Sequence, residues 1–302
     1  MTEPSAPAAP ITASPSWQPG NVPIAIVMIS LNEAHNMAAV LENLKGFAQE
    51  VFLVDSYSSD DTVDIALAHG VQVVRRKFRG FGDQWSFAMR ELPITAPWTM
   101  KLDPDERLTE ELKQSIGHII GKSNADAFTL RRRLWFMGRP LPVKQVILRG
   151  WKTGRCRFSN VLVNEHPLVE GRIIEATGDL EHHDSPDLHH WFDKQNRYSS
   201  AEALSIYRGK PLAATPRLFG SRLERRMWVK SKLIHMPFRS LLVFVHCYIW
   251  QGAWKAGRVG FIWSRLRVDV YRMRALKLLE MRLSGKELRI PSSSANPPPS
   301  KH

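Results

Sequence analysis

Leu102-Asp103-Pro104-Asp105-Glu106 follows the apolar run Trp98-Thr99-Met100 and sets two carboxylates one residue apart. In extended backbone, side chains two residues apart point the same way. Asp103 and Asp105 can then grip a hard divalent cation, leaving other coordination positions to phosphate oxygens and water. The pentapeptide also fits an acidic entrance that complements a helix dipole, because Thr109–Ile120 reads as a helix. The segments in front of it decide between these readings.

From Val22 to Lys122 short apolar runs alternate with helix-like stretches. Ile24–Ile29, Val51–Val54, Val71–Val74 and Trp98–Leu102 read as buried strands, with Met37–Phe47, Asp61–His69 and Gln84–Leu92 as the helices between them. Such alternation predicts a parallel sheet wrapped by crossovers. Ligands of these sheets sit beyond the carboxyl ends of the strands. Polar residues gather there: Ser30, Asn32 and Glu33 after the first strand, Asp55, Ser56, Ser58 and Asp60 after the second, Asp103, Asp105 and Glu106 after the fourth. Asp60 also suits a helix N-cap and Asn32 a turn. Three such loops at one sheet edge nevertheless predict a cleft, and so many carboxylates facing a phosphate ligand need a cation. No Gly-x-Gly-x-x-Gly fingerprint or Walker lysine occurs, which argues against a dinucleotide fold or a P-loop.

Four motifs fall in order: Ser30-Leu31-Asn32-Glu33, Val54-Asp55-Ser56-Tyr57-Ser58-Ser59-Asp60-Asp61-Thr62, Gly80-Phe81-Gly82-Asp83-Gln84 and Leu102–Glu106. Together they resemble the family 2 inverting glycosyltransferases, nearest the branch of the lipopolysaccharide core β-glucosyltransferases. The likeness runs over about residues 22–290, through Val163-Asn164-Glu165, His182/His183 with Ser185, Asn196-Arg197-Tyr198-Ser199 with Ala203, and Gly257, Gly260, Tyr271 and Glu280. It implies an α/β fold of GT-A type, a Rossmann-like mixed sheet flanked by helices. It also implies transfer of a sugar from a nucleotide-diphospho-sugar, UDP-linked, to a lipid-linked glycan acceptor by direct displacement with inversion.

Site roles come with the resemblance. Ser30, Asn32, Glu33, Asp55, Ser58, Gln84 and Asp103 are expected to bind the donor, and Asp103 and Asp105 to hold Mg²⁺ or Mn²⁺ on its diphosphate. Such a cation stabilises charge on the leaving group. Glu165 is expected to take the acceptor proton, with Glu106 as the rival base. Asn164 stands where the family usually has His, and Trp85-Ser86 where the branch has a basic residue and Asn. These departures bear on that imidazole's role and on the floor of the donor pocket. His182, His183, Asp184, His189 and His190 look metal-binding by composition but lack zinc spacing. His182 aligns instead with the family's loop histidine near the active site. Arg131-Arg132-Arg133 reads as a solvated face, with contact to phosphorylated acceptor sugars as the alternative.

The net charge of +13 is concentrated in one region. Between Ser205 and Arg289 there are 19 Lys/Arg against four acids, so the whole basic excess lies in the last third of the chain. Basic segments favour nucleic acid or an anionic membrane surface. Here the charges are interleaved with Phe219, Met227, Trp228, Leu233, Ile234, Met236, Phe238, Leu241–Val245, Tyr248, Ile249, Trp250 and Trp254. Bulky apolar and Trp/Tyr residues flanked by Arg/Lys describe a segment lying on a membrane. Its apolar core, Ser240–Trp254, falls short of the roughly 20 residues that span a bilayer.

The expected organisation is a disordered Pro/Ala/Ser arm over 1–22, a catalytic domain over 23–204, a basic amphipathic helical membrane-associating region over 205–290 and a disordered tail over 291–302. No secretory signal is read at the start, and Cys156 and Cys247 suggest neither a disulfide framework nor a zinc site. The expected location is the cytoplasm, peripheral to the inner face of the cytoplasmic membrane, with no nucleic-acid partner. Two other functions fit parts of the pattern: a metal-dependent nucleotidyltransferase, and a non-catalytic basic RNA-binding or scaffold protein on a degenerate transferase fold.

Overall fold

Val22–Ser30 (β1) carries apolar side chains on both faces, as a central parallel strand must. Ile24, Ile26 and Met28 enter one core layer, and Ala25 and Val27 enter the other. The computed structural model describes residues 16–158, 166–209, 217–219, 224–225, 228 and 238–288. Glu165 and Asn164 lie outside the described residues, as do Met227, Leu233, Ile234 and Met236. The chain separates into two compact units, Met1–Asp184 and Ser185–His302.

In the first unit β1 leads through α1 (Ala34–Leu44), β2 (Ala48–Asp55), α2 (Thr62–Ala68), β3 (Gln72–Arg75) and α3 (Phe81–Glu91) to β4 (Trp98–Lys101). A short β5 (Glu106–Leu108), α4 (Glu110–Lys122), β6 (Ala127–Phe136), β7 (Arg139–Lys152), β8 (Cys156–Phe158), β9 (Pro167–Val169) and β10 (Ile173–His183) complete it. Eight strands form one sheet in the order β3-β2-β1-β4-β7-β6-β10-β5, while β8 and β9 pair separately. The expected parallel half is β3-β2-β1-β4. Beyond it the sheet is mixed: β7 is antiparallel to both β4 and β6, and β10 is parallel to β6. Two antiparallel steps restore direction, so β10 ends at the same edge as β1, β2 and β4. Helices α1, α2 and α4 cover one face and α3 the other.

Three boundaries differ from the sequence reading, for stated reasons. α1 starts at Ala34 because its first amides are capped from a different loop: Asp60 Oδ2 accepts from Ala34 N (3.1 Å) and Thr62 Oγ1 from Glu33 N (2.8 Å). α3 starts at Phe81, directly after Gly80 at φ 140°, a backbone open essentially to glycine alone. Trp17, inside the stretch expected to be a disordered arm, is anchored through its amide to Gly70 O (2.9 Å) and its indole to Ala48 O (3.0 Å). Both cysteines are buried, and burial pushes the Cys156 thiol up to about 12, which disfavours its thiolate.

Gly150 on β7 lets the buried Phe128 ring cross the strand, since a Cβ there would lie 2.0 Å from it. Gly150→Ala is expected to cost about 1–3 kcal/mol of stability by overpacking. Urea denaturation reads this directly, and an unchanged midpoint would show that Phe128 has room to move.

The second unit contains α5 (Leu188–Tyr207), α6 (Arg239–Val245), a π-helical turn (His246–Trp250), a 3₁₀ turn (Ala253–Ala256) and α7 (Gly257–Ser284). α5 and α7 pack together, with Arg274 bonded to Glu202 (2.7 Å) and Lys277 Nζ donating to Asn196 Oδ1 (2.6 Å) and Ser199 Oγ (2.8 Å). Among the described residues no helix is long and apolar enough to cross a membrane.

Candidate active site

The ends of β1 and β2 are laced together by the polar residues that the sequence placed there. Ser30 and Asp55 are register partners, and the fully buried Asp55 carboxylate accepts from Ser30 Oγ (3.0 Å), Ser58 Oγ (2.5 Å) and Ser58 N (2.9 Å). Ser58 Oγ in turn accepts from Asn32 N (2.9 Å), and Asn32 Oδ1 accepts from Ser59 N (2.8 Å). Asn32 sits at φ 56°, a left-handed turn conformation that Asn tolerates. Buried Gln84 accepts from Arg76 (2.7 Å) and reaches Ser56 Oγ (3.3 Å). Ser30, Asp55, Ser58 and Gln84 therefore shape the loops from within, while Asn32, Glu33 and Asp103 stay partly exposed.

The acidic motif is a turn rather than extended backbone. Glu106 N donates to Asp103 O (2.9 Å), closing Asp103–Glu106 before β5 begins. Two-residue alternation does not apply here, and Asp103 and Asp105 take different partners. Asp103 Oδ2 accepts from Arg149 (2.8 Å). Arg149, on β7, also donates to Glu106 Oε1 (2.5 Å), and Glu106 Oε2 accepts from Asp103 N (3.0 Å). Burial opposes ionisation of Asp103, but Arg149 and Lys101 outweigh it and hold the carboxyl at about 2. Burial pushes Glu106 up, against the pull of Arg149 and Arg132. The helix-entrance reading is displaced, because β5 intervenes and the cap of α4 is Thr109, whose side chain accepts from Leu112 N (3.3 Å).

Asp105 turns instead toward the end of β10. His182 Nε2 lies 3.2 Å from Asp105 Oδ2 and 3.8 Å from Asp184 Oδ1. One ligand atom from each of Asp105, His182 and Asp184 falls within 4.8 Å of the others, a grouping that could hold a divalent cation. Two carboxylates and an imidazole suit Mn²⁺ or Mg²⁺ completed by oxygen ligands. This grouping shares Asp105 with the pair expected from the sequence, while Asp103 is bonded to Arg149. His183 N fixes the junction by donating to Asp105 O (2.8 Å), and the His183 ring stacks on Trp135 at 4.8 Å. Burial, with Arg107 nearby, pushes the His183 imidazole down.

Arg149 was not singled out by the sequence, and Asp184 was noted only within a histidine-rich group that looks metal-binding by composition but lacks zinc spacing. No local spacing marks Arg149, which meets Asp103 only because β7 pairs with β4. His182 was flagged by resemblance, and Asp184 adjoins it. The Arg131–Arg133 run is matched by acids or an amide: Arg131 with Glu175 (3.6 Å), Arg132 with Gln145 (2.8 Å) and Glu106 (3.5 Å), Arg133 with Glu181 (2.5 Å).

The sequence has relatives among known proteins. Residues 25–163 match the model of glycosyl transferase family 2. An uncharacterized glycosyltransferase of Rickettsia conorii is 36% identical over 207 residues, covering 63% of this chain and 73% of the relative. The lipopolysaccharide core biosynthesis glycosyltransferase LpsC of Rhizobium meliloti is 26% identical over 254 residues, covering 80% of this chain and 86% of the relative. A solved structure of S. aureus TarS in complex with UDP-GlcNAc shares 14% identity at a TM-score of 0.42, covering 88% of this chain and 93% of that one. The mixed α/β sheet is of GT-A type, and the family match and relatives make the chain a glycosyltransferase. The chain belongs to glycosyl transferase family 2.

Proposed function

We propose that the protein transfers a hexose from a UDP-sugar to a lipid-linked glycan of the cell surface, with inversion, at the inner face of the cytoplasmic membrane. The convergence of Asp105, His182 and Asp184 beside an ionised Asp103 is the observation that carries this reading. The relative LpsC, named for lipopolysaccharide core biosynthesis, supports the acceptor class.

Asn32 and Glu33 offer amide and carboxylate groups to the base and ribose, and Asp103 a carboxylate to the ribose hydroxyls. Ser30, Asp55, Ser58 and Gln84 contribute by holding those loops. Asp105, His182 and Asp184 would hold Mn²⁺ or Mg²⁺, which supplies positive charge to the leaving diphosphate. In the transfer the acceptor hydroxyl oxygen bonds to the anomeric carbon, the bond from that carbon to the diphosphate breaks, and UDP departs. Glu165 is assigned the hydroxyl proton. Glu106 suits that task poorly, because it is fully buried and both its oxygens are engaged by Arg149, Arg132 and the Asp103 amide.

Thermal shift with a panel of nucleotide-sugars, with and without Mn²⁺, tests the donor. A UDP-sugar is expected to raise the melting temperature only when Mn²⁺ is present, and stabilisation by a nucleoside triphosphate alone would sink the reading. Glu165→Gln should keep that shift while slowing UDP release to acceptor by on the order of 10²–10⁴. Normal turnover in this variant would remove Glu165 from the role.

A further inference from the structure

From Arg225 to Val268 the chain contains nine Lys/Arg and no Asp or Glu. Within it, residues 238–261 form a helical hairpin with two apolar faces. One is satisfied internally: Val243 and Cys247 are buried where α6 and the π-helical turn pack on α7. The other is formed by Leu241 and Val245, one turn apart on α6, with Phe238 just before the helix and Ile249 in the π-helical turn after it, and all four are exposed. Trp250 and Trp254 extend it, with Phe238 79% and Trp250 85% exposed. Lys255 and Arg258 stand exposed at its edge, Lys255 with its ammonium 5.7 Å from the Trp254 ring.

A helix with apolar side chains on two faces has to cover both of them. This one is buried on a single side, and an exposed apolar patch of this extent marks an interaction surface. The charge selects the occupant. A second copy would bring two wholly basic segments face to face, whereas anionic headgroups complement them. Tryptophans beside the exposed face have the amphipathic character of residues found at headgroup level.

We propose that residues 238–261 dock the protein on an anionic phospholipid surface. Phe238, Leu241, Val245 and Ile249 enter the acyl boundary, Trp250 and Trp254 lie among the headgroups, and Lys255 and Arg258 meet the lipid phosphates. The segment lies in the interface without crossing it. The inference deepens the lipid-linked acceptor reading and rests on it for the purpose the docking serves.

Cosedimentation of the full chain with vesicles of phosphatidylcholine alone, or with added phosphatidylglycerol, tests the surface. Binding is expected to the anionic vesicles and to weaken with salt. The double variant Ile249→Glu/Trp250→Glu should lose at least roughly tenfold in partitioning. Lys255→Glu/Arg258→Glu should lose roughly twentyfold on anionic vesicles and little on neutral ones. All four side chains are exposed, so thermal unfolding should not move. Absence of wild-type binding to anionic vesicles would overturn the proposal, as would undiminished binding by Ile249→Glu/Trp250→Glu. A lipid-free wild-type dimer that this variant dissociates, without vesicle binding, would assign the face to a second copy instead. The Mn²⁺-dependent UDP-sugar shift, measured without vesicles, keeps the two proposals apart. Its retention alongside failed docking overturns the surface alone, and its absence alongside intact docking overturns the donor reading alone.

Discussion

Asp105→Asn is expected to lower sugar transfer by about 10³-fold while leaving the fold intact. Asn keeps the shape of Asp105 and an acceptor for His182, 3.2 Å away, so packing at this buried position changes little. The loss is one negative charge from the proposed cation site of two carboxylates and an imidazole. Removing it weakens the electrostatic stabilisation of the departing diphosphate, an effect worth several kcal/mol at about 1.4 kcal/mol per tenfold in rate. Two measurements check this: UDP release across a Mn²⁺ titration, and direct Mn²⁺ binding by electron paramagnetic resonance. Affinity should fall at least tenfold, and excess Mn²⁺ should restore only part of the rate. An Asp105→Asn protein that binds Mn²⁺ like wild type would move the cation away from Asp105, His182 and Asp184.

The site divides into parts that were legible locally and parts that were not. Short apolar runs bounded by polar loops revealed β1 to β4, because parallel strands buried on both faces leave little choice of residue. The same loops marked the carboxyl edge. Their division of labour was hidden, since Asp55 and Ser58 look as available in sequence as Asn32 yet are spent on each other. Asp103 and Asp105 looked like a matched pair only on the premise of extended backbone, and the turn closed by Glu106 N removes that premise. The cation grouping depends on β10 returning to the edge of β4 through two antiparallel steps, which no local pattern encodes. Helix starts failed similarly where Asp60 and Thr62 cap α1 from another loop. In the second unit, composition disclosed an apolar, basic segment, but only the packing of Val243 and Cys247 shows which face remains outside.

Arg149→Met is expected to destabilise the protein by about 3–5 kcal/mol, the cost of leaving the buried Glu106 carboxylate without its cation. Arg149 is nearly inaccessible and holds Asp103 and Glu106 together; Glu106 is fully buried. Arg132, at 3.5 Å from Glu106, is too distant to replace both bonds. Two further variants separate charge from shape. Arg149→Lys keeps the charge but loses the two-pronged donor, so an intermediate loss is expected. Glu106→Gln combined with Arg149→Met removes the isolated buried charge and should recover part of the stability, giving a large coupling in a double-mutant cycle. The pH dependence carries its own sign. The folded Asp103 carboxyl at about 2 lies below its ordinary 3.8, so its stabilisation is full above the ordinary value and fades as pH falls through the folded one. Without Arg149 that carboxyl returns toward its ordinary value. The stability gap between wild type and Arg149→Met should then be widest near neutral pH and narrow as pH drops from about 4 toward about 2. A gap independent of pH over that range would mean that Arg149 supports the turn by packing rather than by charge.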